Sequence, residues 1–167
     1  MGEFDPVTVL RTLNEHDVRF VVIGGVGARL RGAPLITEDI DITPDTDSAN
    51  LINLAEALRV LDARLRTVVD PDGIPLLIDA DMLATAESWT LMTESGDLDL
   101  VFSPDGIGSY DDLARSADSL SITPDGSLQI LVATLDDIIR SKEAAGRDKD
   151  LAALPLLRRT RDDSAGR

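Results

Sequence analysis

Residues 19–42, RFVVIGGVGARLRGAPLITEDIDI, decide the fold class of this chain. The stretch opens with a continuous apolar run, typical of a strand buried on both faces, and the pair Gly24-Gly25 ends that run. Residues 26–30 then predict one or two helical turns. Residues 38–43 alternate acids with isoleucine, which predicts a second, half-buried strand. The stretch therefore predicts two strands joined through a short helix.

Two aspartates, Asp39 and Asp41, lie two positions apart on the second of these strands. Side chains at positions i and i+2 of a strand point to the same face, so the two carboxylates lie together. Two such charges repel. The arrangement is favourable where water solvates this face of the strand or where cations lie between the carboxylates. Carboxylate oxygens are hard ligands that suit magnesium, which makes this pair a candidate metal site.

The segments on both sides of this stretch also show helical or alternating spacing. They predict helices near residues 6–14, 47–61, 110–117, 134–146 and 149–157, a hairpin of strands 89–93 and 98–102, and short strands at Ile122 and 128–131. The pattern predicts an α/β (α+β) domain with a small mixed sheet, flanking helices and a C-terminal helical segment. We divide the chain into a core (1–132), C-terminal helices packed on it (133–158) and a flexible tail (159–167).

Composition excludes several classes of protein. The 167 residues include no cysteine, so the chain has neither disulfides nor thiolate metal sites. The N-terminus does not resemble a signal peptide and no apolar run has membrane-spanning length, so we expect a cytoplasmic protein without a membrane partner. With 31 acidic and 16 basic residues the net charge is −15, which disfavours a simple nucleic-acid-binding module.

A third carboxylate is expected from the segment GDLDLV, where Asp97 and Asp99 also share one face. Asp99 lies deeper in the apolar run, where an unpaired charge is more costly, so we favour Asp99 over Asp97. The spacing alone leaves the choice between the two open.

Three short motifs, IGG, EDIDI and LDLV in chain order, together resemble the nucleotidyltransferase superfamily of DNA polymerase β. With DDIIRSKEAAGRDKDLAAL at residues 136–154, the pattern is similar to the small AbiEii and MenT group of toxin-type nucleotidyltransferases. The resemblance implies a nucleotidyltransferase-like fold and magnesium-dependent transfer of a nucleoside monophosphate from a nucleoside triphosphate such as ATP. The acceptor is then a hydroxyl, and pyrophosphate is released.

The resemblance also implies roles for individual residues. Gly24 and Gly25 hold the triphosphate, and Asp39, Asp41 and Asp99 bind two magnesium ions. Lys142 and Asp150 match positions that the toxin group uses near the nucleotide, and Arg147 and Lys149 are expected phosphate contacts. Arg29 and Arg31 follow the glycines closely, so we add them as candidate nucleotide-binding residues. Lys142 also counts among the candidate catalytic residues.

Two features depart from the toxin group. Members often have an arginine after the proline of a Gly-x-Pro-Arg-x-Thr pattern, where this chain has Leu35. The acidic charge also suits a large RNA acceptor poorly. The role implied first is the toxin of a toxin–antitoxin pair, acting on an RNA 3′ end such as that of tRNA. The alternatives are transfer to a protein or small-molecule hydroxyl, or a catalytically silent partner or antitoxin.

Overall fold

One mixed sheet of eight strands organises the computed structural model, which describes residues 2–167. The helices are α1 (Pro6–Glu15), α2 (Gly24–Leu30), α3 (Ser48–Val60), α4 (Ala80–Leu83), α5 (Tyr110–Ala114), α6 (Leu135–Ala145) and α7 (Asp148–Ala165). The strands are β1 (Phe20–Ile23), β2 (Asp39–Pro44), β3 (Arg64–Leu65), β4 (Ile74–Pro75), β5 (Ser88–Thr93), β6 (Gly96–Val101), β7 (Asp118–Ser121) and β8 (Gln129–Val132). Their spatial order is β4-β3-β5-β6-β2-β1-β8-β7.

The predicted strand–helix–strand unit forms the middle of the sheet. β1 pairs antiparallel with β2, with Val22 opposite Ile42, and parallel with β8, with Val22 opposite Val132. All four residues of β1 are buried, as its unbroken apolar sequence predicted. The predicted hairpin is also confirmed, because β5 and β6 pair antiparallel.

Strand β2 pairs parallel with β6, and the alternation along both strands separates two faces. Ile40 and Ile42 are fully buried on one face, opposite Leu98 and Leu100 of β6. The aspartates between them point to the other face and are half-buried. The period-2 pattern of the sequence therefore decides which face of the central sheet is apolar and which is acidic.

Two apolar clusters cover the two faces of the sheet. The first joins α1 and α3 to the apolar face of β2 and β6, with Leu10 and Leu54 among its fully buried side chains. The second packs α6 and α7 on β1, through residues such as Ile138 and Leu157. Because the second cluster lies toward β1, the acidic side chains of β2 and β6 lie at its margin.

Helix α6 begins and ends at its predicted capping residues, whereas α7 begins after Arg147 without a side-chain cap. Thr134 accepts a hydrogen bond from the Asp137 backbone N–H at the start of α6, and Gly146 ends that helix with φ +65°. Helix α7 was expected to end near Leu157 but runs to Ala165, through Pro155. Its last turns lie against α6, with Arg158 paired to Glu143 and Arg161 to Asp136. Residues 159–165 are helical, and the flexibility expected for residues 159–167 stays a prediction. The division at residues 132 and 133 stays a prediction.

Other boundaries differ from the predicted ones. Gly24 and Gly25 form the first turn of α2 instead of a separate turn before it. Residues 74–83, which the sequence left open, form β4 and the short helix α4. Ile122 lies just after β7. Among residues 2–167, no helix combines the length and the apolar character that crossing a membrane requires.

Candidate active site

Three carboxylates meet on the acidic face of the central sheet. Asp39 and Asp41 come from β2 and Asp99 from β6, and one oxygen of each lies within 4.8 Å of the others. Asp41 stands directly opposite Asp99 in the parallel register, and neighbouring strands are about 4.8 Å apart. The cluster is thus a direct product of strand alternation and register.

The negative charge of this cluster is poorly compensated. Burial, followed by the charges of Asp39 and Asp99, raises the pKa of Asp41 to about 7, although Lys142 and Lys149 act in the opposite direction. Burial also raises the pKa of Asp99, against the opposing effect of Arg66. Carboxylates that resist ionisation in one another's presence gain most from a bound cation.

The donor set fits a hard divalent cation such as Mg²⁺. All three ligands are carboxylate oxygens, which Mg²⁺ prefers, and their spacing allows one ion to contact all three. Thr37 donates a hydrogen bond from Oγ1 to Asp39 Oδ1 at 2.9 Å, which restricts the rotation of that carboxylate. The side chains of the cluster are therefore partly oriented before any ion binds.

The two glycines at the start of α2 let the backbone approach these acids. Gly24 has φ +64°, and a Cβ at this position would collide with the carboxylate of Asp41. A Cβ at Gly25 would lie 2.9 Å from Thr37 Oγ1, tighter than ordinary contact. A larger residue at position 24 would displace Asp41, and one at position 25 would displace Thr37, the hydrogen-bond donor to Asp39. The close approach of the backbone therefore requires glycine at position 24 and favours it at position 25. Their contact with a triphosphate stays a prediction.

A group of cations faces the acids from the C-terminal helices. Asp150, with 1% of its surface exposed, accepts hydrogen bonds from Lys142 Nζ at 3.3 Å and from Arg147 Nε at 2.6 Å. Burial alone would raise the pKa of Asp150, but the hydrogen bonds from Arg147 and Lys142 outweigh it and lower the pKa. Asp150 therefore stays ionised and holds the two cations in place beside the acid cluster.

Two cavities open beside the cluster and share its central residues. Volumes are about 570 Å³ for the first and about 380 Å³ for the second. Both are lined by Asp41, Asp99, Lys142, Arg147 and Asp150. The first extends along the loop before β2 and the second along β5 and α6, so each can hold a different substrate against the same carboxylates.

The larger cavity is lined by Leu35, the residue that differs from the toxin-group pattern. Leu35 lines it together with Thr37 and Lys149. An apolar side chain therefore occupies the position where that group often has an arginine, and Lys149 is a cation on the opposite, α7 side.

The structure does not bring Arg29 and Arg31 to the acids. Arg31 donates to the carbonyl oxygens of Ala133 and Val132 at 3.0 and 2.7 Å and pairs with Asp118 at 2.7 Å. Arg29 is exposed and lines a small separate cavity next to α1. Both residues lie at the end of α2, whereas the acids face its first turn. We therefore leave both out of the proposed nucleotide site.

The residue that the sequence did not single out is Arg66, which follows β3. Its guanidinium pairs with Asp97 at 2.6 Å and with Asp99 at 2.8 Å. Asp97 is thereby engaged beside the cluster, and Asp99 is the β6 carboxylate within it. The alternation Arg64-Leu65-Arg66 placed both arginines on one strand face, but no local signal shows that this strand lies beside β5.

Comparisons with known proteins address the fold. No protein-family model matches the chain, and no curated protein matches it. Among solved structures, a protein of Thermotoga maritima assigned as a nucleotidyltransferase is similar, with a TM-score of 0.52 and 16% identity. The match covers 89% of this chain and 86% of that chain.

Two structures of ANT(2″)-Ia are also similar to this chain. The complex with adenylyl-2″-tobramycin has a TM-score of 0.53 and 13% identity over 89% of this chain and 83% of that chain. The solution structure of this antibiotic-resistance factor has a TM-score of 0.52 and 13% identity, over 95% and 88% respectively. Together with the mixed sheet and its flanking helices, these likenesses show that the chain has a nucleotidyltransferase-like fold.

Proposed function

We propose that the protein is a divalent-metal-dependent nucleotidyltransferase that moves a nucleoside monophosphate from a nucleoside triphosphate to an acceptor hydroxyl. The main support for the proposal is that the two cavities meet at one carboxylate cluster. Asp39, Asp41 and Asp99 lie within 4.8 Å of one another, and Lys142 and Arg147 face them across both cavities. Direct transfer between two bound substrates requires two adjoining sites, and metal ions and cationic side chains together stabilise the charge of a transferred phosphoryl group.

The chain's own residues divide the work as follows. Lys142 and Arg147, held by Asp150, bind the triphosphate and stabilise the charge that develops on pyrophosphate as it leaves. Asp99 lines the cavity that extends along β5, where we place the acceptor, and it accepts the proton of the attacking hydroxyl. A bond forms between the acceptor oxygen and the α-phosphorus, and the bond from that phosphorus to the β-phosphate oxygen breaks. Magnesium ions bound by the three aspartates would polarise the phosphates and activate the hydroxyl.

Titration calorimetry of each nucleoside triphosphate, with and without Mg²⁺, tests this proposal. The wild type is compared with Asp39→Asn/Asp41→Asn and with Asp162→Asn/Asp163→Asn, a charge-matched control on the exposed end of α7. We expect Mg²⁺-dependent binding of a triphosphate that the first double variant loses and the control retains. Absence of binding by folded wild type would contradict the proposal and fit a silent partner or antitoxin.

For the acceptor, we propose an RNA 3′ end such as that of tRNA, with the protein acting as the toxin of a toxin–antitoxin pair. The support is the similarity of residues 19–42 and 136–154 to the toxin group. Expression should then inhibit growth, and Asp41→Ala should abolish the inhibition. Co-expression with a cognate antitoxin should restore growth. Unchanged inhibition by Asp41→Ala would count against this role.

A small cationic hydroxyl compound is the second candidate acceptor. A net charge of −15 repels RNA but attracts a polyamine-like substrate, and Asp97, Asp99 and Asp105 lie along the two cavities. One structural neighbour is described in complex with adenylyl-2″-tobramycin. Incubation with α-labelled triphosphate and separate tRNA, protein and aminoglycoside acceptors distinguishes these cases by where the label appears.

A further inference from the structure

Arg66 contacts two carboxylates at the edge of the acid cluster. Its Nη1 lies 2.6 Å from Asp97 Oδ2 and its Nη2 lies 2.8 Å from Asp99 Oδ1. One planar guanidinium therefore spans two carboxylates of the same strand. Only arginine has a rigid fork of donors that can hold two acceptors at fixed positions.

The backbone of Arg66 is held in place, as is the guanidinium that bridges Asp97 and Asp99. The backbone N–H of Arg66 donates to the Thr90 carbonyl oxygen at 3.0 Å, and Thr90 lies opposite Asp99 in the pairing of β5 with β6. The side chains of Arg66, Asp97 and Asp99 are 31%, 30% and 17% exposed. This partial burial distinguishes the bridge from a solvated surface ion pair, which contributes little.

We propose that Arg66 is a positioning residue for the metal site, clamped by Asp97 so that it holds one oxygen of Asp99 and orients that carboxylate toward Asp39 and Asp41. The inference rests on the proposed function for its kinetic consequence, while its effect on cation binding can be measured separately. Asp97 is then the anchor of the bridge and not a ligand. The two aspartates of GDLDLV thus have different tasks.

The experiment separates the charge of Arg66 from its geometry. Arg66→Lys keeps the positive charge but cannot span both carboxylates, and Arg64→Lys is the matched control, because Arg64 pairs with Asp62 instead. Mn²⁺ affinity is measured by calorimetry for each variant, alone and combined with Asp99→Asn. We expect Arg66→Lys to weaken Mn²⁺ binding about fivefold, because a freely rotating Asp99 is a poorer ligand. The control should stay within about twofold.

The double-mutant cycle is the decisive readout. If the bridge orients Asp99, Asp99→Asn should weaken Mn²⁺ binding about tenfold in the wild type and less than about threefold with Arg66→Lys. Where activity is found, Arg66→Lys should lower kcat about tenfold and leave the KM for the triphosphate within about twofold. Asp97→Asn, which removes the anchor and keeps Arg66, should reduce the Asp99→Asn effect in the same way and serves if Arg66→Lys fails to fold.

Two results would overturn the inference. One is an equal cost of Asp99→Asn in all backgrounds, since the orientation of Asp99 would then be independent of Arg66. The other is a wild type that binds no Mn²⁺. If no nucleotidyl transfer is found but the cycle shows coupling, the proposed reaction is wrong while the positioning role of Arg66 stands.

Discussion

Replacing Asp41 with asparagine should stabilise the metal-free protein while it removes one ligand of the proposed metal site. Burial and the neighbouring carboxylates raise the pKa of Asp41 from 3.8 to about 7, so the folded chain holds its proton more tightly than the unfolded chain. The stability associated with that proton is fully present below the unfolded value of 3.8 and is lost as pH rises through about 7. Asparagine cannot ionise, and it therefore avoids the loss.

The magnitude follows from the size of the shift. A shift of roughly 3 units corresponds to about 4 kcal/mol at 1.36 kcal/mol per unit. Because Asp41 is half-buried and water screens it, we halve this value. Asp41→Asn should then raise the free energy of unfolding of the metal-free protein by about 2 kcal/mol at pH 8, and by less than about 1 kcal/mol at pH 5.

Urea unfolding in EDTA at the two pH values measures this difference. Asp163→Asn, on the exposed end of α7, is the control for the general loss of negative charge. With Mg²⁺ in place of EDTA, the wild type should gain stability by mass action and Asp41→Asn should not. An Asp41→Asn protein that is no more stable than wild type at pH 8, or a gain that is equal at both pH values, would refute the reasoning.

Three further predictions concern residues around the site. Gly24→Ala should cost at least about 2 kcal/mol of unfolding free energy and weaken Mg²⁺ binding, because it adds a clash with Asp41 to the strain of positive φ. In the same urea and calorimetric assays, Gly32→Ala, with φ +95° and open space around it, should cost only about 1 kcal/mol and leave Mg²⁺ binding unchanged. Asp150→Asn should cost about 3 kcal/mol at pH 7, since it leaves two cations unpaired. Because the pKa of Asp150 is lowered in the folded chain, its carboxylate stabilises the fold at pH values above the unfolded pKa of 3.8. The difference in unfolding free energy between wild type and Asp150→Asn should therefore shrink as pH falls below that value, as urea titrations measure. Arg31→Met should lower the free energy of unfolding by about 2 kcal/mol without changing triphosphate affinity, because the partners of Arg31 are backbone carbonyls and Asp118. A loss of triphosphate affinity at unchanged stability would instead place Arg31 in the nucleotide site.

Local patterns were enough to predict most of the secondary structure. The buried strand, the β5–β6 hairpin and the helix between Thr134 and Gly146 all follow from periodicity and capping, which act over a few residues. The extent of α7 could not be predicted in this way. Its last turns lie against α6, where Arg158 pairs with Glu143 and Arg161 with Asp136, and such contacts exist only once the two helices have packed.

The candidate site shows the same difference between local patterns and contacts that are distant in sequence. The sequence by itself determined that Asp39 and Asp41 share a face, because strand alternation is a property of two neighbouring peptide units. Only the tertiary structure decided that Asp99 joins them and that Arg66 pairs with both Asp97 and Asp99. It also decided that Arg31 turns away, toward carbonyls about a hundred positions along the chain. These partners are far apart in sequence, and their contacts depend on which strands become neighbours, which no local period encodes.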